Sequence, residues 1–591
     1  MGLSNLEPQF RKAYLVLIEK FNTNPFTFEE AAEVLESASR NLGVKFANKK
    51  EVLSELERAG LLEKKPSEKD KRKKIYRLKE STVFGKTGLG KDELINLLKE
   101  GADIIRTAVD YKVLLLFLFY KAISDKYLLE VRKLEKERPN TKGEKLYRIA
   151  NIRILKLYDT DNKRLLVWHE VKNEPTEFIN ALNRIVELNR EKLNKLDELI
   201  KRTGLPTLFE GENSIIVKRL INLFSRLDLS ESEYDILGDA YEWILYYFAP
   251  LKAKEGEVYT PVEVSRLLAN LIEPRGEEVI LDPACGSASM LIEQNIYAKN
   301  KDENSNITLI GQERNEVTAV LAELNFILHG IKNTKVFIGD SLLNSKFEEF
   351  IKREFYEDGK ADKVVANPPW NQKKLYNETT LKQNPKHREI FEFGYTTDQS
   401  ADWAWIQLIN YYTRKKAGIV IDSGALFRGG REKTIRAKFI KEDLIDCVIL
   451  LPEKIFYNTQ APGVIIILSK EKPEERKEKI LFINASKEYI PHPEEKKLNK
   501  LSEENIKKIA EVYREFKEVE GFSRVVHING IEKNDFNLNV SLYVSPNEEE
   551  EKINLEEEFK KLEALNREYT ERFGKVREYI KEVLKVSEEI V

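Results

Sequence analysis

Hydrophobic and polar positions change rhythm several times along this chain. Between residue 8 and about residue 80, apolar positions in "FRKAYLVLIEKF", "TFEEAAEVLESASRNL" and "NKKEVLSELERAGLLEK" recur at helical spacing, and the charged turn "SEKDKRKKIYRLKE" leads into a short strand. Residues 91 to about 250 keep a mostly helical pattern, with one strand-like pair near "YRIANIRILKLYDTDNKRLLVWHE". From about Glu257 short apolar runs alternate with helices: "VILD" (279–282), "TLIG" (308–311), "KVFIGD" (335–340), "KVVANPP" (363–369), "GIVIDSG" (418–424), "CVILLPE" (447–453) and "GVIIIL" (463–468). Several of these lack polar alternation, which predicts parallel strands covered on both faces by helices. The expectation is an α/β domain with a doubly wound, seven-stranded, mostly parallel sheet that binds ligand at the carboxyl ends of its strands. Near the end, Leu555, Phe559, Leu562, Asn566, Tyr569, Phe573, Val576, Ile580 and Val583 recur at alternating spacings of four and three, a coiled-coil seam with one polar position. Such a helix either docks on a partner or folds back on its own domain.

The implied organisation is a winged-helix-like domain at 1–85, a helical domain at 91–250, a catalytic domain at 251–475, a C-terminal extension at 476–545 and a partner-binding long helix at 546–591. The first region resembles a winged helix that contacts DNA by its third helix or by the Lys69 to Lys74 stretch, or else docks a protein; Glu51, Glu55 and Glu57 on the third helix weigh against DNA.

Composition narrows the class. At 591 residues the chain exceeds what one core supports. Lysine plus arginine number 98 against 100 acids, so any grip on a polyanion must be local or shared with a partner. Two cysteines, Cys285 and Cys447, exclude a disulfide framework, and five scattered histidines show no ligand spacing; no metal site is expected. With no signal-like start and no apolar run long enough for a bilayer, the expectation is a cytoplasmic protein without membrane contact. Charged residues at 34% and only two methionines fit a thermophilic source.

The chemistry gathers at strand ends. "VILDPACGSASMLIEQ" reads as strand, small-residue loop and helix, and the loop lets a ligand approach the backbone. It lacks the Gly-Lys-Ser/Thr of a phosphate loop and the three spaced glycines of a dinucleotide turn. Asp282, Glu313 and Asp340 end three successive strands, which points to a nucleoside carrying a charged tail. The fourth strand ends in Asn367-Pro368-Pro369-Trp370. Two prolines fix the backbone and remove amide donors, so the Pro368 carbonyl and the Asn367 side chain can both face outward as acceptors for an exocyclic amine. The amine lone pair can then face a methyl sulfonium, with Trp370 stacked on a base that has left the duplex.

Asn-Pro-Pro-aromatic after the fourth strand and "DPACGS" after the first resemble the N6-adenine DNA methyltransferases. "GADIIRTAVDYKVLLLFLFYKAISDKY", "LGDAYEWILYYFA", "GEVYTPVEVSRLLANLI", "GQERNEVTAVLAELNFILHGI", "LPEKIFYNTQAPGVIIIL" and "FNLNVSLYV" follow in the order of one branch, the methylation subunits of type I restriction-modification enzymes. The resemblance spans roughly residues 91–591. It implies a Rossmann-like, S-adenosylmethionine-dependent methyltransferase that modifies adenine N6 in double-stranded DNA. The partners it implies are a specificity subunit, bound through the C-terminal helix, a second methylation subunit and a restriction/translocase subunit. It implies Tyr259, Thr260 and Pro261 beside the methionine part of the cofactor, Asp282, Ala284, Gly286 and Ser287 at its amino-acid end, Glu313 at the ribose and Asp340 at the adenine. Asn367, Pro368 and Trp370 would hold the target base and Pro369 would fix the turn. Where the family continues with two glycines and an aromatic, this chain has Ala288, Ser289 and Met290. Trp403 and Trp405 read as core packing rather than base contacts, and Cys285 as a small packing residue. A stand-alone adenine methyltransferase and an inactive DNA-binding scaffold of the same fold stay open as alternatives.

Overall fold

A computed structural model describes residues 8–21, 25–42, 48–58, 61–66, 74–78, 91–105, 109–172, 175–193, 195–209, 214–252, 260–457, 459–493, 497–545 and 555–584. Its centre is a single sheet of β1 (Val279–Asp282), β2 (Thr308–Glu313), β3 (Thr334–Ile338), β4 (Ala361–Ala366), β5 (Thr413–Asp422), β6 (Ile445–Leu450), β7 (Gly463–Ser469), β8 (Lys479–Asn484) and β9 (Ser523–His527). The strand order is 3-2-1-4-5-7-6-8-9. Strands β3 to β5 pair in parallel through β2, β1 and β4, whereas β7 runs antiparallel to both β5 and β6, and β9 antiparallel to β8. All seven anticipated strands are present, but the sheet has nine. The seven-strand expectation is corrected by β8 and β9, which come from the segment expected to be a separate extension, so position 475 does not divide two units.

Every residue of β1, β4 and β7 is buried, as expected for central strands covered on both faces. Strand β4 stops where Pro368 and Pro369 can no longer donate to a ladder. It lies next to β1, where the strand order reverses, so the loops after these two strands flare apart and leave a crevice.

The helical region is joined to this domain by a continuous core. Helix Lys112–Glu137 is buried along its whole first half and packs Phe117 and Tyr120 against Trp168 and Phe178. Val320, Leu321, Leu324 and Leu328 of helix Glu316–Leu328 belong to the same cluster, and the Tyr241 hydroxyl donates to the Leu321 carbonyl at 2.8 Å. At the amino end, helices Pro8–Phe21, Phe28–Leu42 and Lys49–Arg58 pack on an antiparallel sheet in which Lys74–Leu78 lies between Phe26–Thr27 and Leu62–Pro66. The basic stretch expected to touch DNA lies, apart from Lys74, outside the described residues. Helix Leu555–Leu584 runs for 30 residues, and each of its described side chains is exposed. No helix among the described residues is long and apolar enough to cross a membrane.

Candidate active site

The loop after β1 is built from acids holding backbone. Asp282 is 2% exposed, and its Oδ1 accepts the Ala284 N–H at 2.9 Å. Glu313, at the end of β2, accepts the Gly286 N–H through Oε2 at 3.1 Å and the Asn315 N–H through Oε1 at 2.7 Å. A Cβ placed on Gly286 would meet nothing within 4 Å, so the loop presents bare backbone to open space. Asp340 caps the turn after β3, accepting the Leu342 N–H at 3.1 Å, and receives the Tyr376 hydroxyl at 2.7 Å. The loop closes at Ala288, whose φ of +66° is left-handed although its methyl group is fully buried. Asn325 supports it from behind, donating to the Ser287 carbonyl at 2.9 Å.

Asn367 stands opposite. Its Oδ1 accepts the Trp370 indole N–H at 2.9 Å, and its Nδ2 donates to Thr260 Oγ1 at 2.8 Å. An indole nitrogen can only donate, so the amide oxygen must face Trp370 and the amide orientation is fixed. Trp370 is half-buried: it meets Phe456 edge-on at 4.8 Å, and its far tip fills the space that a Cβ on Gly463 would need. Pro368 is buried and Pro369 exposed.

These two loops face one cleft of about 340 Å³, lined on one side by Ala284, Gly286, Ser287, Glu313 and Asp340 and on the other by the Asn-Pro-Pro-Trp loop. A smaller cavity of about 40 Å³ connects Asp282 and Thr260 with Asn367. Burial pushes Asp282 up to about 8, with the Ala284 N–H pulling down and the Glu313 carboxylate adding to the push. Burial also raises Glu313, against the N–H groups of Asn315 and Gly286. Two desolvated carboxylates beside bare backbone form a site that gains from a cationic guest, and an aminoacyl sulfonium fits that requirement. Pro261 lies at the start of helix Val262–Ile272 and lines neither cavity, while Tyr259 lies outside the described residues.

Sequence reasoning passed over several residues of this cleft. Arg314 and Tyr376 flank Asp340, at 3.8 Å and 2.7 Å, and Phe456 backs Trp370. Trp403 is core as expected, donating to the Ala425 carbonyl at 2.9 Å. Trp405 is nearly as buried, yet lines the cleft and donates to Gln372 Oε1 at 3.0 Å. A tryptophan two residues from a buried one on the same helix was the available signal, since positions two apart face different sides. Cys285 is buried, and burial keeps its thiol protonated.

The family model described as N-6 DNA Methylase matches residues 232–552. The chain is 64% identical to the type I restriction enzyme MjaVIII methylase subunit of Methanocaldococcus jannaschii over 585 residues, 99% of each chain. It is 49% identical to the MjaVII methylase subunit of the same organism over 594 residues, again 99% of each. A solved type I restriction-modification methyltransferase subunit from Streptococcus thermophilus superposes with a TM-score of 0.66 at 26% identity, covering 77% of this chain and 100% of that one. This cleft therefore sits in a chain that belongs to the S-adenosylmethionine-dependent N6-adenine DNA methylases, as a methylation subunit of the type I restriction-modification kind.

Proposed function

We propose that Asn367 Oδ1 and the Pro368 carbonyl clamp the two hydrogens of the adenine amine, that Pro369 fixes the turn, and that Trp370 supports the base. The observation that carries this reading is the fixed amide of Asn367, locked by Trp370 and Thr260 beside the buried Asp282. Asp282, with Ala284, Gly286 and Ser287, would hold the amino-acid end of S-adenosylmethionine, Tyr259, Thr260 and Pro261 its methionine part, Glu313 the ribose and Asp340 the adenine. Bound there, S-adenosylmethionine supplies an electrophilic methyl group on sulfur. The clamp draws the amine nitrogen out of conjugation and aims its lone pair; an amide is no base, so the displaced proton leaves to water. Catalysis then rests on position and electrostatics.

The target is an adenine extruded from double-stranded DNA. A near-neutral chain leaves sequence reading to a specificity subunit, docked on helix Leu555–Leu584. Phe559, Leu562, Tyr569, Phe573, Val576 and Ile580 are 38% to 66% exposed along one seam, an apolar stripe a lone chain leaves uncovered. A second methylation subunit and a restriction/translocase subunit complete the assembly. The helix-strand-helix-helix-strand-strand order of residues 8–78 supports a winged-helix reading of the amino end, as a DNA-contact or docking module.

The test is transfer of labelled methyl to DNA with and without the specificity subunit. Asn367→Ala should lower the rate by at least about 100-fold while S-adenosylmethionine binding persists. Full activity in that variant would overturn the clamp. Placing glutamate at Leu562 and Phe573 together should abolish co-purification with the specificity subunit and leave cofactor binding intact.

A further inference from the structure

We propose that Arg428 is a positioning residue for methyl transfer, setting the adenine clamp through Asn371. The inference rests on the clamp reading of Asn367. Arg428 follows the short turn Ser423–Leu426 that ends β5, far in sequence from the clamp. Its Nη1 donates to Asn371 Oδ1 at 2.8 Å and to Asp422 Oδ2 at 3.0 Å, its Nη2 to Ser400 Oγ at 3.1 Å and to the Asp402 carboxylate, and its Nε to Glu432 at 2.9 Å. Asp402 is fully buried, and its Oδ1 accepts the Asn371 backbone N–H at 2.9 Å. Asn371, the residue immediately after Trp370, is thus held at its backbone and at its side chain by one ion pair.

That grip has something to hold. Asn371 has a φ of +53°, a left-handed conformation that asparagine tolerates better than other side chains but that its hydrogen bonds to Arg428 and Asp402 hold in place. Without that grip Asn371 is free to exchange between the left-handed and the common regions of backbone space, and each exchange turns the Trp370 peptide and with it the indole N–H that orients Asn367. The base on which Arg428 stands is itself fixed. Arg436, 1% exposed, donates to the carbonyls of Arg428 at 3.0 Å, Ala425 at 3.2 Å and Phe536 at 2.8 Å, while the Leu538 N–H donates to the Leu426 carbonyl at 3.0 Å. A planar guanidinium with five fixed donors can serve Asn371, Asp402, Asp422, Ser400 and Glu432 together; a lysine ammonium has three donors and no fork.

The experiment uses the complex with the specificity subunit and follows Arg428→Lys, Arg428→Ala and Asn371→Ala beside Asn367→Ala. Arg428→Lys should lower kcat by about 100-fold with the S-adenosylmethionine Kd within a few-fold of wild type. Millimolar guanidinium should restore part of the rate of Arg428→Ala, and Asn371→Ala, which removes one bond, leaves no buried charge unpaired and adds the strain of a left-handed alanine, should show a smaller kcat loss of the same kind. If kcat, cofactor affinity and unfolding temperature fall together without rescue, Arg428 only maintains the fold and the inference is overturned. If Asn367→Ala is inactive while the Arg428 and Asn371 variants methylate at the wild-type rate, this inference fails and the clamp stands. If Asn367→Ala is fully active, the clamp itself fails.

Discussion

The two walls of the cleft are built in different ways. On the wall we assign to the cofactor the ties are mostly to nearby backbone, Asp282 to Ala284, Glu313 to Gly286 and Asn315 and Asp340 to Leu342, with one distant side chain, Tyr376, reaching Asp340. On the target wall the ties are between side chains brought together from distant segments: Asn367 to Thr260 and Arg428 to Asn371 and Asp402. In the proposed reading the first wall is a socket for the ligand that every turnover shares, and the second a clamp whose geometry depends on several parts of the domain at once, so damage to it should show in turnover rather than in cofactor affinity.

The sharpest way to separate the walls is charge. Asp282→Asn should weaken S-adenosylmethionine binding by about 10- to 100-fold, the worth of a charged hydrogen bond in a desolvated site, whereas Asn367→Ala should leave binding nearly unchanged. With Asp282 pushed up to about 8, wild-type affinity for the cationic cofactor should rise from pH 6 to about pH 7.5 as the carboxylate begins to ionise, before the cofactor's own α-amino group loses its proton, and Asp282→Asn should flatten that rise. The free chain should respond in the opposite sense. An acid whose folded pKa is raised favours folding while it stays protonated, so its contribution is complete below the unfolded carboxylate range and is lost as pH climbs through about 8. Titration calorimetry across this pH range and thermal unfolding of the free chain check both. A pH-independent affinity would break the comparison.

A smaller effect is expected on the other wall. Trp370→Phe keeps the ring against Phe456 but deletes the N–H that orients the Asn367 amide, which is then free to flip. The expected outcome is a kcat loss of about 5- to 10-fold, the value of one neutral hydrogen bond, with the cofactor Kd unchanged. Single-turnover methylation kinetics read it directly. An equal loss in cofactor affinity would mean that the two walls are not independent.

The same contrast decides what is legible in the amino-acid sequence alone. Asp282, Ala284, Gly286 and Ser287 lie within six residues, and Glu313 and Asp340 mark strand ends, so local pattern points to the wall we assign to the cofactor. Asn367 and Trp370 were visible because two adjacent prolines are so unusual at the end of a buried strand. Their ties to distant segments were not: Thr260, named only for the cofactor, is 107 positions from Asn367, and Arg428 is 57 from Asn371. No periodicity links such pairs. Strand β8 was within reach, since "ILFI" is an apolar run, but it sits among lysines and glutamates. Strand β9 is an edge strand with partly exposed residues and little signal. The terminal helix was legible because its apolar period is regular, and the described side chains of that period are exposed.

The smallest expected effect lies at Ala288, a left-handed position held by a residue with a side chain. A left-handed alanine costs about 1–2 kcal/mol, which Ala288→Gly would relieve. Against that stand the lost burial of one methyl group, about 0.8 kcal/mol, and the extra freedom of glycine in the unfolded chain, about 0.5–1 kcal/mol. The terms nearly cancel, so stability should change by less than about 1 kcal/mol, and chemical unfolding of the two proteins would measure it. The cofactor Kd should hold to within a few-fold, because Glu313 and Asn325 pin the loop from either side through Gly286 and Ser287. A large loss of affinity would show instead that the buried methyl group sets the shape of the socket, and the cofactor wall would then depend on core packing as much as the target wall depends on its ion pair.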